Sequence, residues 1–290
     1  MLTEFHIGID DTDSRLGGCT TYTAAILFQE LVSEGFKPLD FPCLVRLNPN
    51  IPWKTRGNGA LSLHFSIEEK QLEEVKKIAI GTVERTTDLA QRATDPAVVF
   101  LKGRVSNPLR EFSARALHDI LSVREAQQLA ESVDAEAHLL KGSQGLVGAL
   151  ASVGADLDHD HTFEIIAYRT PENIGSTRRV SLDSVRQMDT MFQGLTFNNI
   201  DPETGRVLIC PHGPDPVLLG IRGEDPTSVT KALNQLDIDE SIERVMMFKT
   251  NQGTDAHLSC QRRIGALRPY QSTLVIGISA VLLGSFAEAT

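Results

Sequence analysis

Apolar and polar residues alternate at the start of the chain, where Phe5, Ile7 and Ile9 interleave with His6, Gly8 and Asp10. A period of two predicts a buried strand. From Thr20 or Thr21 to about Glu34 the period changes. Ala24, Leu27, Phe28, Leu31 and Val32 recur on one helical face, and Gly35 stops the helix. Further strands are expected at 43–47, 60–65 and 98–101. Leu72, Val75, Ile78 and Ala79 mark a second helix, and 113–132 reads as mostly helical. The style breaks near Lys141, where a stretch rich in small residues leads towards Gly154. Beyond it Phe163, Ile165 and Ala167 alternate within a strand at 162–169. Strands at 206–210 and 217–221 surround a Pro/Gly turn. Asp225-Pro226 opens a helix whose apolar face is Val229, Ala232, Leu233 and Leu236. A strand at 244–249 closes the series. The order strand, link, two strands, helix, strand fits a ferredoxin-like sandwich. The expected class is α+β, with an N-terminal α/β domain over 1–140, a ferredoxin-like domain over 141–260, and a remnant at 261–290.

The first strand ends in three carboxylates within four residues, Asp10, Asp11 and Asp13, followed by Gly17-Gly18-Cys19-Thr20-Thr21. Like charges that close are unfavourable unless a cation sits among them. Hard cations such as Mg²⁺ take oxygen ligands and bridge to phosphates. Asp and Ser also serve turns and helix caps without any ligand. Three acids, the glycines and the threonines at the next helix start together favour a metal-and-phosphate corner.

The chain has 290 residues, 41% of them apolar, enough for two domains with a sizeable core. The net charge of −10 argues against a generally basic nucleic-acid binder, though a local basic stripe would still accommodate RNA. Cys19, Cys43, Cys210 and Cys260 form no Cys-x-x-Cys, so neither a zinc ribbon nor a redox motif is visible. Sparse cysteines and no signal peptide fit a reducing cytoplasm. The apolar run 274–286 has 13 residues, short of the roughly 20 that a membrane span needs, and reads as one or two buried strands.

Other clusters are less specific. Lys54-Thr55-Arg56-Gly57-Asn58-Gly59 sets two cations beside glycines, which suits phosphate and equally a solvated hairpin turn. Gly142, Gly145, Gly148 and Gly154 favour close backbone packing over a phosphate cradle. Asp158-His159-Asp160-His161 reads as a solvated turn before a metal site. Gly220-Ile221-Arg222-Gly223-Glu224 and Thr250–His257 place polar groups at strand ends, where sites or turns both occur.

Six segments together resemble the TiaS family, the archaeal 2-agmatinylcytidine synthetases. They are IGIDDTDS…GGCTTY (7–22), RLNPNIPWKTRGN (46–58), GLVGALASVGA (145–155), IAYRT (166–170), GIRGE (220–224) and TNQGTDAH (250–257). The resemblance covers roughly residues 5–258 and is specific as a set. It implies a kinase-like domain followed by a ferredoxin-like domain. It also implies ATP- and magnesium-dependent attachment of agmatine to C2 of the wobble cytidine of the minor isoleucine tRNA. Asp10, Asp11 and Asp13 would then hold magnesium and act in catalysis. Thr20 corresponds to the family's autophosphorylated threonine. Lys54, Arg56, Gly57 and Asn58 would bind ATP, and Arg222, Glu224, Asp255 and His257 would bind agmatine, a dication that needs carboxylates. The family's OB-fold would begin near Tyr270, and the 20 residues that follow cannot complete a barrel. The expectation is a catalytic core without the parts that grip tRNA. The competing expectation is a noncatalytic, shortened paralogue that binds nucleotide or polyamine.

Overall fold

The computed structural model describes residues 2–211, 213, 214 and 216–254. In chain order the strands and helices are β1 (Leu2–Asp10), α1 (Thr20–Ser33), β2 (Lys37–Pro38), β3 (Cys43–Arg46), β4 (Gly59–Glu68), α2 (Leu72–Thr86), β5 (Ala97–Lys102), α3 (Asn107–Ala116), α4 (Val123–Ser132), β6 (Glu136–Leu139), α5 (Gly145–Gly154), β7 (Thr162–Arg169), α6 (Leu182–Met191), β8 (Thr196–Phe197), β9 (Val217–Gly223), α7 (Pro226–Leu233) and β10 (Ile242–Thr250). One sheet runs through the molecule in the order β6-β5-β1-β4-β3-β10-β7-β9-β8, with β2 beside β4. The mixed α+β class is as expected.

The first half is a three-layer sandwich. Phe5, Ile7 and Ile9 of β1 pack with Leu61, Leu63 and Phe65 of β4 under α1 and α2. The opposite face, with Val99 and Ala60, lies under α3, α4 and α5. Both faces of β1 are therefore covered, and residues 5–9 are all buried. The second half repeats one antiparallel pattern, β10-β7-β9-β8, with α6 and α7 between its strands in sequence. This is the split βαβ arrangement. Phe163, Ile165 and Ala167 of β7 pack under α6 and α7, whereas Ile166 and Tyr168 join the core beneath α1. That division explains why all eight residues of β7 are buried. The halves meet where β10 pairs in parallel with β3 at Lys249↔Cys43 and Thr250↔Leu44.

The structure differs from the sequence reading in several places. Residues 145–154, read only as a small-residue stretch, form α5. This helix packs on β1, β4 and β5 of the first half, although the sequence break places its start beyond residue 140. Its approach to β1 is so close that a Cβ on Gly8 would lie 2.1 Å from the Ala149 carbonyl oxygen. Residues 206–210 are not a regular strand. They touch their neighbours through an Ile200↔Val207 bridge and a Gly220 N–H donated to the Ile209 carbonyl, and Thr196–Phe197 takes the edge. The helical stretch 113–132 is the end of α3, a link, and α4. The link lets Ser122 start α4 with a reciprocal Ser122–Glu125 capping box. The expected remnant at 261–290, including the apolar run 274–286, lies outside the described residues.

Candidate active site

At the end of β1 the chain turns sharply through Asp11, whose φ is 58°. Aspartate and asparagine tolerate this left-handed backbone better than other non-glycine residues. The turn delivers Asp10, Asp11 and Asp13 to one open cleft of about 690 Å³. Asp11 Oδ2 accepts the Asp95 N–H at 3.1 Å, and Oδ1 accepts the Thr55 hydroxyl at 3.4 Å. Asp13 pairs with Arg56 Nε at 3.0 Å, and Arg56 Nη2 donates to the Gly18 carbonyl. Asp10 lies against α5 at Gly148, where a Cβ would stand 1.9 Å from Asp10 Oδ2. Only glycine lets the helix approach this carboxylate.

Burial raises the carboxyls of all three acids. Asp10 rises well above the usual carboxylate range through burial, with the charge of Asp11 adding to it. Asp11 is pushed up to about 7 by burial, then by the charge of Asp13 and, less, by Asp95. Asp13 is raised by burial while Arg56 pulls it back. Among the described residues no three His, Cys, Asp or Glu side chains form a ready-made metal cluster. A magnesium site does not require one, because the ion keeps several waters and takes one or two carboxylates plus phosphate oxygens. The oxygen-only donor set fits that ion, with Arg56 offsetting charge at Asp13 alone of the three acids.

The facing wall is the loop 46–59, held by the buried side chain of Asn48. Asn48 Nδ2 donates to the His118 and Asp119 carbonyls at 3.0 and 3.1 Å, and its N–H to the Ala116 carbonyl at 3.0 Å. Asn58 Nδ2 donates to the Asn48 carbonyl at 2.8 Å. Lys54, Gly57 and Asn58 line the cleft. The Lys54 ammonium donates to the Pro49 carbonyl at 2.6 Å, within its own loop, so Arg56 is the cation of the motif that engages the acids.

A second groove, about 1960 Å³, follows the seam between the halves and is lined by Asp13, Thr20, Arg56, Arg46, Glu164 and Arg222, among others. Thr20 is buried at the first position of α1. Glu164 Oε2 pairs with Arg46 Nη2 at 3.1 Å and stands opposite Arg222 in the β7–β9 register. Burial lowers the Arg222 guanidinium from its ordinary value, with Glu164 opposing. Glu224 is not brought in. It is exposed, its N–H is tied to the Leu195 carbonyl at 3.0 Å, and it lines neither cleft. Asp255 and His257 lie outside the described residues. Glu164, Asp95, Thr55, Asn48 and Gln144 were missed as contributors. Asp95 caps the approach to α5 by accepting the Gly142 and Gln144 N–H groups. An Asp-Pro pair before β5 was its only local signal. The segment 158–161 is a turn, with His161 edge-on to Phe163 at 5.1 Å. Among the described residues no helix is long and apolar enough to cross a membrane.

Residues 6–142 match the TiaS TCKD domain and residues 143–257 the TiaS FLD domain. The isoleucine-tRNA 2-agmatinylcytidine synthetase TiaS of Pyrococcus horikoshii is 46% identical over 272 residues, 94% of this chain and 63% of the relative. Its counterpart in Methanocaldococcus jannaschii is 40% identical over 276 residues, 93% of this chain and 64% of the relative. That of Hyperthermus butylicus is 40% identical over 289 residues, 94% and 67%. The chain thus spans roughly three fifths to two thirds of the length of these relatives. Among solved structures, a complex of TiaS with its isoleucine tRNA and ATP superposes with a TM-score of 0.82 at 38% identity, covering 88% of this chain and 60% of that one. A complex of TiaS with the same tRNA, AMPCPP and agmatine gives 0.81 at 36% identity, covering 88% and 61%.

Proposed function

The chain belongs to the TiaS family, and from that premise we propose that it carries the catalytic core of ATP-dependent agmatidine synthesis on the minor isoleucine tRNA. The observation that carries this reading is the convergence of Asp10, Asp11 and Asp13 with Thr55, Gly57 and Asn58 in one cleft at the carboxyl end of β1. Asp13 lines the adjoining groove as well, beside Thr20 and Arg56. A phosphorus-containing group is transferred from ATP to the oxygen on C2 of the wobble cytidine; the primary amine of agmatine then attacks C2 and loses a proton as that oxygen leaves with the transferred group. The protein is cytoplasmic in this reading, where tRNA and ATP are found.

Asp10, Asp11 and Asp13 would hold magnesium, which would neutralise charge on the phosphates. Arg56 opposes the burial that raises Asp13 and adds positive charge next to the phosphates. Backbone N–H groups at Gly57 and Asn58 offer donors to a phosphate that can approach closely there. One of the three carboxylates also serves as the proton acceptor for an attacking hydroxyl. Thr20 is the hydroxyl that takes a phosphoryl group from ATP. Glu164 replaces Glu224 as the carboxylate for agmatine, because it faces the seam groove and Glu224 does not.

The test is incorporation of labelled agmatine into a transcript of the isoleucine tRNA with MgATP. Asp11→Asn is expected to abolish incorporation. ATP binding with neither turnover nor incorporation would replace the enzyme by a binding module. An absence of ATP binding would remove the reading for this chain.

A further inference from the structure

One side chain of the acidic cleft has no part in metal or phosphate handling. Trp53, the sole tryptophan of the chain, lines that cleft and leaves 51% of its surface exposed. Tryptophan is enriched at interfaces, where one end of the ring system is apolar and the other wet. Ile51, Ala116 and Leu121 line the same cleft, so an apolar wall accompanies the carboxylates. Small-molecule sites commonly join an apolar surface to a few polar groups in this way.

The wall is pre-formed. The loop bearing Trp53 and the α3–α4 link bearing Leu121 are tied together by Asn48, which bonds the carbonyls of Ala116, His118 and Asp119. Within the loop, Lys54 Nζ bonds Pro49 and the Lys54 N–H bonds the Ile51 carbonyl at 3.4 Å. A platform held by such bonds loses little freedom when a ligand docks.

We propose that Trp53 is the stacking platform for the base of the nucleoside triphosphate, a role that rests on the reading of this cleft as the ATP site. The acids, Arg56 and the glycine loop handle phosphates, and none of them recognises a nucleoside. A stacked indole supplies that recognition and tolerates any base, because every base has a π-face. Removing one base–aromatic stack weakens binding by about 5- to 150-fold, or about 1–3 kcal/mol at about 1.4 kcal/mol per tenfold.

Since the chain has one tryptophan, its intrinsic fluorescence reports this residue alone. The experiment titrates the full chain, in magnesium, with ATP and separately with inorganic tripolyphosphate. Affinity is read by calorimetry and the indole by emission. ATP is expected to change the emission, and tripolyphosphate to bind without that change. Trp53→Ala is expected to weaken ATP about 5- to 150-fold while leaving tripolyphosphate within about twofold, and Trp53→Phe to restore most of the ATP affinity. Equal ATP affinity in wild type and Trp53→Ala would overturn the proposal and leave the ATP site standing. An emission change produced by a single-stranded RNA oligonucleotide and not by ATP would also overturn it, by giving the platform to an RNA base. Wild type that binds neither ATP nor tripolyphosphate would remove the ATP site itself, and the platform with it.

Discussion

Replacing Asp11 with asparagine separates the electrostatic cost of the acidic corner from its geometry. Asparagine keeps the shape, tolerates the φ of 58°, and can still accept the Asp95 N–H while donating to Thr55 Oγ1. Alanine would add backbone strain and orphan those donors, so it would confuse the result. What asparagine removes is a charge. The Asp11 carboxyl titrates at about 7, against about 3.9 for an unhindered aspartate. A thousandfold difference in proton affinity corresponds to about 4 kcal/mol. Water reaches this half-buried group, and screening brings the expected figure to about 2 kcal/mol.

The direction follows from which state binds the proton more tightly. The folded state holds the Asp11 proton up to about pH 7, whereas the unfolded chain releases it near pH 4. Between these values the native state carries more protons, so stability declines as pH rises. Above the folded value the full penalty is present. Asp11→Asn should therefore stabilise the nucleotide-free protein by about 2 kcal/mol at pH 8, a rise in Tm of about 4–8 °C for a chain of this size. It should have little effect at pH 4, and on the proposed reading MgATP should stabilise wild type and not the variant. The assay is denaturation at pH 4, 6 and 8, with and without MgATP. A variant less stable than wild type at pH 8, or one that keeps the same decline between pH 4 and 8, would refute this account.

Three further outcomes follow from the same geometry. Gly8→Ala places a Cβ 2.1 Å from the Ala149 carbonyl and 2.8 Å from Val153 Cγ2; backbone cannot yield there as a side-chain tip can, so urea denaturation should show a loss at or above about 3 kcal/mol, and a loss below about 1 kcal/mol would mean α5 shifts freely. Arg169 and Glu240 form an ion pair with both side chains fully buried, at 2.7 Å; Glu240→Gln leaves an uncompensated guanidinium and should cost about 3–5 kcal/mol in the same assay. His6 and His64 share an Nδ1···Nδ1 hydrogen bond of 2.7 Å, and burial holds both below the ordinary imidazole value, His64 at about 3. The unfolded chain binds these protons first, so stability is lost as pH falls from about 6.5, by at most about 1.4 kcal/mol per pH unit for each histidine, and His64→Gln should flatten that acid limb.

Much of the scaffold was readable because local and tertiary signals agreed. β1, α1, β7 and α7 each carried one clear period, and Asp225 caps α7 as its type suggests, accepting the Thr227 and Ser228 N–H groups at 2.9 Å. The helix α5 was hidden because four of its features read as loop: three glycines and a serine in ten residues. Glycine disfavours helix by about 1 kcal/mol each relative to alanine. The helix exists through its tertiary contact with β1, which nothing local reveals. Residues 206–210 misled in the opposite way, since Val207 and Ile209 alternate convincingly but are held by an isolated bridge and scattered backbone hydrogen bonds rather than a continuous ladder. In the candidate site, Asp10, Asp11 and Asp13 and their partner Arg56 were visible as clusters. Glu164 was not, because an isolated acid within a strand reads as a solvent-facing position. Its meaning depends on the pairing of β3 with β10 and of β7 with β9, which brings Arg46 and Arg222 to it from distant parts of the chain.

These features point to a site that is completed by what it binds. The carboxylates at the end of β1 are raised by burial and by one another, and α5 approaches Asp10 so closely that only glycine fits at 148. Arg56 relieves only Asp13. On the facing wall Trp53 stands half in water although apolar neighbours are at hand. Each feature is unfavourable in the protein alone, and the two are unfavourable for different reasons, one from charge and one from exposed apolar surface. A sodium ion or a lipid tail would relieve one and leave the other. A magnesium-bound nucleotide, as proposed for this cleft, would relieve both, its cation answering the acids and its base the indole. Stability–function conflict of this kind concentrates at sites that are used, and both halves of the conflict fall in one cleft.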